Sequence, residues 1–554
     1  MPTPSFRSST TTSASRSFRK SEKTSNSNSN SNSSNNNNNN RGNDNNNRGN
    51  NKTNNRYAQF FSRLLLWNRF RPVIGILFLV GGVSCGLFGV ISGVSVSTTN
   101  NHSNKKNAPT ARHTVHSRHS ATTDSFDLPE LQRQQEQQQP TMPPHSRKEA
   151  LAALEDRLRG ALWGYFAGDA LASPTHWFYG GRRQVLHEYG HLITDYTAPN
   201  QKLTGSILNK SDPNGGGRSK GGKQKTAAAT TIIGSVINHG KLGLWDPKKS
   251  IHYHATLQRG ENTLEVSIGR VLLRSIAATT GVFSAGAFRA SYVSFMREPG
   301  SHNDTYASTC HRMFFANLVF RGLPPEDCPD NDEHNVDTID GLVLPTIVAL
   351  AEGARREQRN HGSDGLAPET STACSECAGV TRRSAVLGTA AGLWGALVEE
   401  ALASPLDAPG DARFRTALES FARGTIGRSP DPGVRDDSTM SACYLGGSLP
   451  GLVDLLAKHG PDANANGGGD EDRGTKAWEA LLSNANVGGE NVHRGSLLGA
   501  VLGARAGSKA LPPGLVDGLY HKSELGAEID AFVSALLLPD SEEHAGGGSI
   551  VREA

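Results

Sequence analysis

From residue 146 onward, apolar residues recur every three to four positions between polar, glycine-rich breaks. Ala150, Leu151, Leu154, Leu158, Leu162 and Phe166 fall on one side of a helix, as do Leu264, Ile268, Val271, Leu272 and Ile276. Residues 226–240 read as a short apolar helix, and residues 287–323 as a helical region broken at Pro299-Gly300. A polar turn precedes an apolar helix after residue 341, with Asp337 and Asp340 one helical turn apart, and residues 381–404 and 438–460 continue the pattern. Residues 205–225, 361–378, 405–411 and 461–475 read as loops rich in Gly, Pro, Ser and Asp. No stretch alternates convincingly as a strand does. The expectation is an all-α fold, one compact multi-helix bundle over residues 146–540.

The segment before the bundle follows other rules. Residues 1–62 form a basic tail rich in Ser and Asn, including the run Asn35–Asn40, with too little apolar surface to offset chain entropy. From Pro72 to Val96 no residue is charged, and about 25 residues at ~1.5 Å each are enough to cross a membrane. Arg63, Arg69 and Arg71 precede this span, so a single-pass topology places the C-terminal domain on the lumenal or extracellular side. Sequons at Asn101, Asn209 and Asn303 would then be glycosylation acceptors. The alternative is an organelle-targeting presequence. Residues 97–145 read as a flexible polar stalk.

Composition sharpens this picture only in places. Lys and Arg total 57 and Asp and Glu 53, for a net charge of +4 concentrated in the tail, so the globular part carries no nucleic-acid signature. The six cysteines are too scattered for a disulfide scaffold; Cys374 and Cys377 form a lone CxxC in a loop-like stretch, read as incidental or as a local disulfide.

The candidate chemistry lies in a tripeptide used twice. Gly260-Glu261-Asn262 and Gly489-Glu490-Asn491 each place a glycine turn, an acid and an amide before a helix of small and apolar residues. A carboxylate there is favoured by the exposed N–H groups of the first turn and is free to reach a ligand. GYFAGDALASPTHW adds Asp169 and His176; Asp169 sits near a helix end, where the dipole disfavours it unless a cation or hydrogen bonds compensate. Gly164 and Gly168 cost helix propensity, so they imply close approach of another helix or a ligand. His252 and His254 read as satisfied structural histidines.

Three of these segments, in order, resemble the ADP-ribosylglycohydrolase family: GDALASP at Gly168–Pro174, the acidic helix opening at Glu261, and NANVGGENVHRGSLLGAVLGA near the C-terminus. The resemblance spans about residues 150–535. It implies an all-α bundle that holds divalent cations, usually two magnesium ions, and cleaves a glycosidic bond between ADP-ribose and a protein side chain or small acceptor. This chain departs from the pattern where the family has Thr-Asp-Asp-Thr, with Gly260-Glu261-Asn262-Thr263, and where it has Gly-Gly-Asp-Thr-Asp-Thr, with Gly488-Gly489-Glu490-Asn491-Val492-His493. His176 stands where an acid is common. Carried over, the resemblance implies Glu261, Glu490 and His176 as catalytic residues and Glu261, Glu490, His493, Asn262 and Asn491 around the metal. It also implies Asp169 in support and Gly488, Gly489 and Thr263 at the substrate. Two glutamates supply about half the usual charge for two magnesium ions, and the glutamate and histidine donors suit manganese or zinc better. The expected substrate is small-molecule or protein-linked ADP-ribose or a related ribosyl group. The alternative is a catalytically inactive relative that binds a nucleotide sugar or is structural.

Overall fold

A computed structural model describes residues 144–206, 208, 211–215, 230–246, 248–359, 368–404, 408–460 and 470–537. They form helices α1 (Pro144–Ala172), α2 (Gly181–Tyr189), α3 (Leu264–Ala278), α4 (Ala285–Arg297), α5 (Thr309–Phe320), α6 (Val343–Arg359) and α7 (Pro368–Gly379). There follow α8 (Ala385–Ala403), α9 (Ala408–Thr425), α10 (Leu445–His459), α11 (Asp470–Val487), α12 (Val492–Ala506), α13 (Pro513–Asp517) and α14 (Lys522–Leu536). Among the described residues there are isolated β-bridges but no strand. The expected membrane span and tail, and the stalk up to residue 143, lie outside the described residues; residues 144 and 145, expected in the stalk, open α1.

The core is built on α1 crossing α12. Leu154 and Leu158 give the start of α1 one buried side; from Gly164 to its end every residue is buried, and all of α12 is buried. The crossing is lined by glycines in matched order: Gly160 faces Gly503, Gly164 faces Gly499 and Gly168 faces Gly495. A Cβ on Gly164 would lie 2.0 Å from the Gly499 carbonyl oxygen, and one on Gly168 would lie 1.9 Å from that of Gly495. The glycines that cost propensity therefore serve backbone-to-backbone packing, and the two helices run antiparallel. This register brings the residues after α1, His176 and Trp177, beside those before α12, Gly488 to Asn491. The clip is closed by Trp177 N–H to Gly489 O (2.8 Å) and Gly489 N–H to Phe178 O (3.2 Å).

The buried arginines of α12 reach partners on α9, α11 and the loop before α10. The Arg494 Nε donates to Asn484 Oδ1 (2.8 Å) and its Nη1 to Thr439 O (2.7 Å), while Arg505 pairs with Asp411. Helix α8 is the one described helix long and apolar enough to cross a membrane. Here it packs within the bundle, with Trp394 fully buried and its indole N–H on Thr346 Oγ1 (2.8 Å).

Three local expectations change. Residues 230–237 are not a regular helix: Gly234 at φ 96° and extended Ile233 fold the chain back, with Ile237 N–H on Ile232 O (2.9 Å). The CxxC stretch is helical rather than a loop. Cys374 and Cys377 are buried free thiols on α7, with Cys374 Sγ on Pro345 O (3.4 Å), so small side chains rather than an apolar stripe make that packing surface. The sequon residue Asn303 turns its amide into the fold, donating to Thr256 O and to Glu261 Oε2.

Candidate functional site

The two copies of Gly-Glu-Asn take different structural roles. Before α3, the Glu261 carboxylate turns back on its own loop, accepting from Gln258 N–H (2.7 Å) and Asn303 Nδ2 (3.1 Å). Asn262 donates to Phe166 O (2.8 Å) and to Asp169 Oδ2 (2.9 Å). Asp169 also accepts from Thr263 N–H (2.8 Å) and Thr263 Oγ1 (2.6 Å). Burial pushes Asp169 up, and these bonds from Thr263 and Asn262 work against it. The buried acid at the end of α1 thus anchors the α3 entry.

Before α12, the glycine turn points the acid elsewhere. Gly488 (φ 70°) and Gly489 (φ 65°) lie in the left-handed region, packed on Phe178 and Ser441 backbone so closely that a Cβ on either would clash. Glu490 is fully buried. Its Oε2 accepts the Trp177 indole N–H (2.6 Å) and lies 3.2 Å from His176 Nε2; its Oε1 is bonded to His493 Nδ1. Asn491 donates to Thr175 Oγ1 (2.8 Å) and Ala485 O (3.0 Å). His176, Glu490 and His493 offer donor atoms that all lie within 4.8 Å of one another.

His176 continues into a chain that the residue pattern did not reveal. Its Nδ1 is 2.7 Å from His254 Nε2, and His254 Nδ1 is 2.8 Å from Asp304 Oδ1. All three residues are buried. The rings of His176 and His254 stack with centroids 5.0 Å apart. The signal for His254 was in the alternation His252-Tyr253-His254, but in sequence alone nothing links that extended segment to His176. His252 is structural: it bonds Pro174 O (3.0 Å) and accepts from His254 N–H (3.0 Å).

The electrostatics follow from this packing. Burial pushes His176 down to about 4, so its ring is neutral near pH 7. Burial opposes ionisation of Glu490, yet His493 and His176 hold it well below the usual carboxylate range. Burial lowers His493, but Glu490 overcomes this and holds it up at about 9. An ionised carboxylate and a charged imidazole thus border a cleft of about 370 Å³, lined also by Trp177, Tyr179, Tyr306 and Asp340. Trp177 has φ 58°, a conformation that a bulky residue adopts only under constraint, at a cost of about 1–3 kcal/mol. The strain is held by the Gly489 clip and by edge contacts with Tyr253 and Tyr306, and it aims the indole at Glu490.

The sequence-predicted residues are therefore divided. His176, Glu490 and His493 meet. Glu261 lies outside that group, and Asn262, Asp169 and Thr263 are spent on one another and on backbone groups, while Asn491 gives its Nδ2 to Thr175 Oγ1 and Ala485 O and has a buried Oδ1 with no hydrogen-bond partner among the described residues. Gly488 and Gly489 make the turn rather than open a surface. This donor set does not fit two magnesium ions, which take mostly carboxylate and other oxygen ligands. Two imidazoles and one carboxylate fit a single divalent ion of the zinc or manganese type.

A second buried cluster lies nearby. Glu265 Oε1 meets His311 Nε2 (2.8 Å) and Ser308 Oγ, His311 Nδ1 meets the Tyr292 hydroxyl (2.8 Å), and Arg382 pairs with Asp340 (3.1 Å). It joins α3, α4 and α5 through an ion pair with both imidazole nitrogens occupied.

The family comparison agrees with the all-α fold. The ADP-ribosylglycohydrolase family model matches residues 150–545. A solved structure described as an ADP-ribosylglycohydrolase-related protein complex is similar at 17% identity, covering 69% of this chain and 99% of that one, with a TM-score of 0.38. Among curated proteins no sequence matches this chain.

Proposed function

The chain belongs to the ADP-ribosylglycohydrolase family, and from that premise we propose that its cleft hydrolyses a glycosidic bond to ADP-ribose or a related ribosyl group, with one divalent cation in place of two magnesium ions. The observation that supports this reading is the convergence of His176 with Glu490 and His493, of which the last two line the cleft, on the motif positions of the resemblance. Glu490 and the neutral ring of His176 would hold the ion, joined by His493 once it releases the proton that Glu490 holds on it, and the bound ion would polarise ribose hydroxyls and water.

The residues' own chemistry assigns their tasks. A carboxylate held as far down as Glu490 is a poor proton acceptor and a good cation ligand. The neutral ring of His176 presents a nitrogen lone pair at neutral pH. Trp177 and Tyr306 wall the cleft with aromatic surface on which a base or sugar face stacks, and exclude water from the Glu490 contact. The bound substrate is small-molecule or protein-linked. The uncharged stretch from Pro72 to Val96 would anchor the domain to a membrane, with the cleft on its lumenal or extracellular side.

A second reading has its own support. Asn262 and Asn491 replace acids of the family motifs and give their amide N–H groups to internal hydrogen bonds, as expected of a relative that binds a nucleotide sugar without turnover. The full-length chain, assayed for release of ADP-ribose with added magnesium, manganese or zinc, separates the two. Hydrolysis stimulated by manganese or zinc and abolished in Glu490→Gln is expected. Saturable binding of ADP-ribose with no turnover under any metal would overturn the hydrolase reading in favour of the second.

A further inference from the structure

Away from the cleft, we infer that the packing of α10 on α12 holds a buried monovalent anion of the chloride type, bound by Arg494 Nη2 and Ser448 Oγ.

The first observation is a buried cation without a countercharge. Arg494 is fully buried, and a charge taken out of water is costly unless it is paired. On the same helix, Arg505 has its partner in Asp411. Arg494 has no carboxylate partner among the described residues. Its Nε is held by Asn484 Oδ1 (2.8 Å) and its Nη1 by Thr439 O (2.7 Å) and Ser441 Oγ (3.3 Å), all of them neutral acceptors. The acids of the surrounding elements are engaged elsewhere. Glu490, just before α12, is turned to Trp177 and His493. Asp454 of α10 takes Arg428 with both oxygens (2.8 and 2.6 Å). Asp436, in the loop before α10, takes Lys458 (2.8 Å) and Ser483 (2.7 Å).

The second observation is a pair of orphaned polar atoms at one helix contact. Arg494 Nη2 is shut off from solvent and has no hydrogen-bond partner among the described residues. Ser448 Oγ on α10 is in the same state, and Ser448 is fully buried. Ser448 stands one turn before Gly451 on α10, and a Cβ on Gly451 would lie 3.7 Å from Arg494 Nη1. The first turn of α10, which ends at Ser448, carries no acid, so the positive end of that helix adds to the guanidinium.

These unmet groups are donors. The two N–H groups on Nη2 have no lone pair to offer, and the serine hydroxyl joins them by donating. A water would accept such bonds but leave the positive charge uncompensated. A small anion accepts them and supplies the missing charge. With only these donors, all shut off from solvent, the fit is a monatomic halide rather than an oxyanion, whose further oxygens would go unbonded.

The test is melting of the full-length chain, freed of chloride and held in detergent, as sodium chloride replaces sodium gluconate at constant ionic strength. Gluconate is too large for a buried site. The wild type should melt higher in chloride, by roughly 2 °C for each tenfold rise once the site is filling. Ser448→Ala leaves every partner of Arg494 in place and removes one donor. Its chloride response should need about tenfold more chloride, the effect of losing one hydrogen bond to a charged group. Arg494→Met removes the cation and should melt alike in both salts; should it not fold, the Ser448→Ala titration decides alone. A wild type that melts alike in the two salts overturns the inference. So does a Ser448→Ala response at the wild-type chloride concentration, which places the ion elsewhere. Neither residue lines the cleft, so the result stands apart from cation binding and turnover there.

Discussion

Replacing Gly164 by alanine tests whether the α1–α12 crossing sets the site. The new Cβ would fall 2.0 Å from the Gly499 carbonyl oxygen and 2.7 Å from its carbon, whereas Cβ atoms essentially never approach other heavy atoms within 3.0 Å. The backbones must part by about 1 Å, since neither partner has a side chain to move. A gap of that size forfeits roughly a quarter to a half of each contact's dispersion energy along the crossing. The intrinsic helix gain of alanine, about 1 kcal/mol, offsets a part. A net loss of about 3 kcal/mol follows, at the upper end for overpacking, or about 5 °C in melting temperature for a domain of this size. Because His176 leaves α1 and Glu490 enters α12, the same displacement opens their 3.2 Å contact. Zinc or manganese affinity should fall with stability although no ligand has been touched, and turnover by up to ~100-fold. Gly286→Ala is the control: that residue lies in α4 with open space about it, and the change should be neutral or stabilising. Melting followed by circular dichroism on both variants decides the matter. A Gly164→Ala protein that melts within a degree of wild type refutes the backbone-contact account.

Other perturbations separate the site from its scaffold. Glu490→Gln leaves the charged ring of His493 buried without its carboxylate, so it should lose about 3–5 kcal/mol of stability in urea titrations as well as the cation. Trp177→Phe keeps the ring edges against Tyr253 and Tyr306 and removes only the indole donor to Glu490; a loss of about 1.5–3 kcal/mol is expected, and no change in stability or cation affinity would show that bond to be idle. The Glu265–His311 pair should make stability depend on pH. Burial works against charge on both groups. Even so, His311, with Arg382 beyond it, holds Glu265 low, and Cys310 and Glu265, together with Tyr292, hold His311 well above its ordinary value. The contribution of Glu265 is present above its unfolded value of about 4.3 and is lost as pH falls through its lowered one; that of His311 is full below about 6.5 and is lost as pH rises through its raised one. The stability gap between wild type and His311→Gln should therefore be widest near pH 5–6 and shrink toward alkaline pH, and a gap constant from pH 5 to pH 9 would contradict the ion pair.

The helices were legible because their faces are periodic. Leu154 and Leu158 repeat on α1, and Leu264, Ile268, Val271, Leu272 and Ile276 on α3 are all buried as the spacing implied. Where periodicity failed, the cause was packing by small residues. Helix α7, with Ser371, Cys374 and Ser375 set against Gly392, Gly395 and Gly388 of α8, carries little apolar contrast and reads as a loop until the partner helix is seen. The site was half legible for a similar reason. His176, Glu490 and His493 could be found because they occupy motif positions. Asp304 and His254 belong to no motif, and their place depends on which N–H groups the entry to α3 leaves free, a fact of tertiary structure.

The two Gly-Glu-Asn sequences show how one local pattern yields two outcomes. In both, the asparagine amide is taken by backbone carbonyls and a nearby side-chain oxygen: Phe166 O and Asp169 for Asn262, Ala485 O and Thr175 Oγ1 for Asn491. The difference lies in what precedes the acid. Gly260 alone is at positive φ, and Glu261 folds back on Gln258 N–H, satisfying its own loop. Gly488 and Gly489 are both at positive φ, which clips the turn to Phe178 and Ser441 and carries Glu490 across to the residues that follow α1. Once there, it meets imidazoles rather than further carboxylates. A second acid at this point would need a second cation or a raised pKa to be tolerated in so buried a place. With His176 neutral and His493 charged, the single negative charge of Glu490 is already offset. Adding a carboxylate here, as in His176→Glu, should therefore destabilise the metal-free protein in urea titrations rather than create a magnesium site.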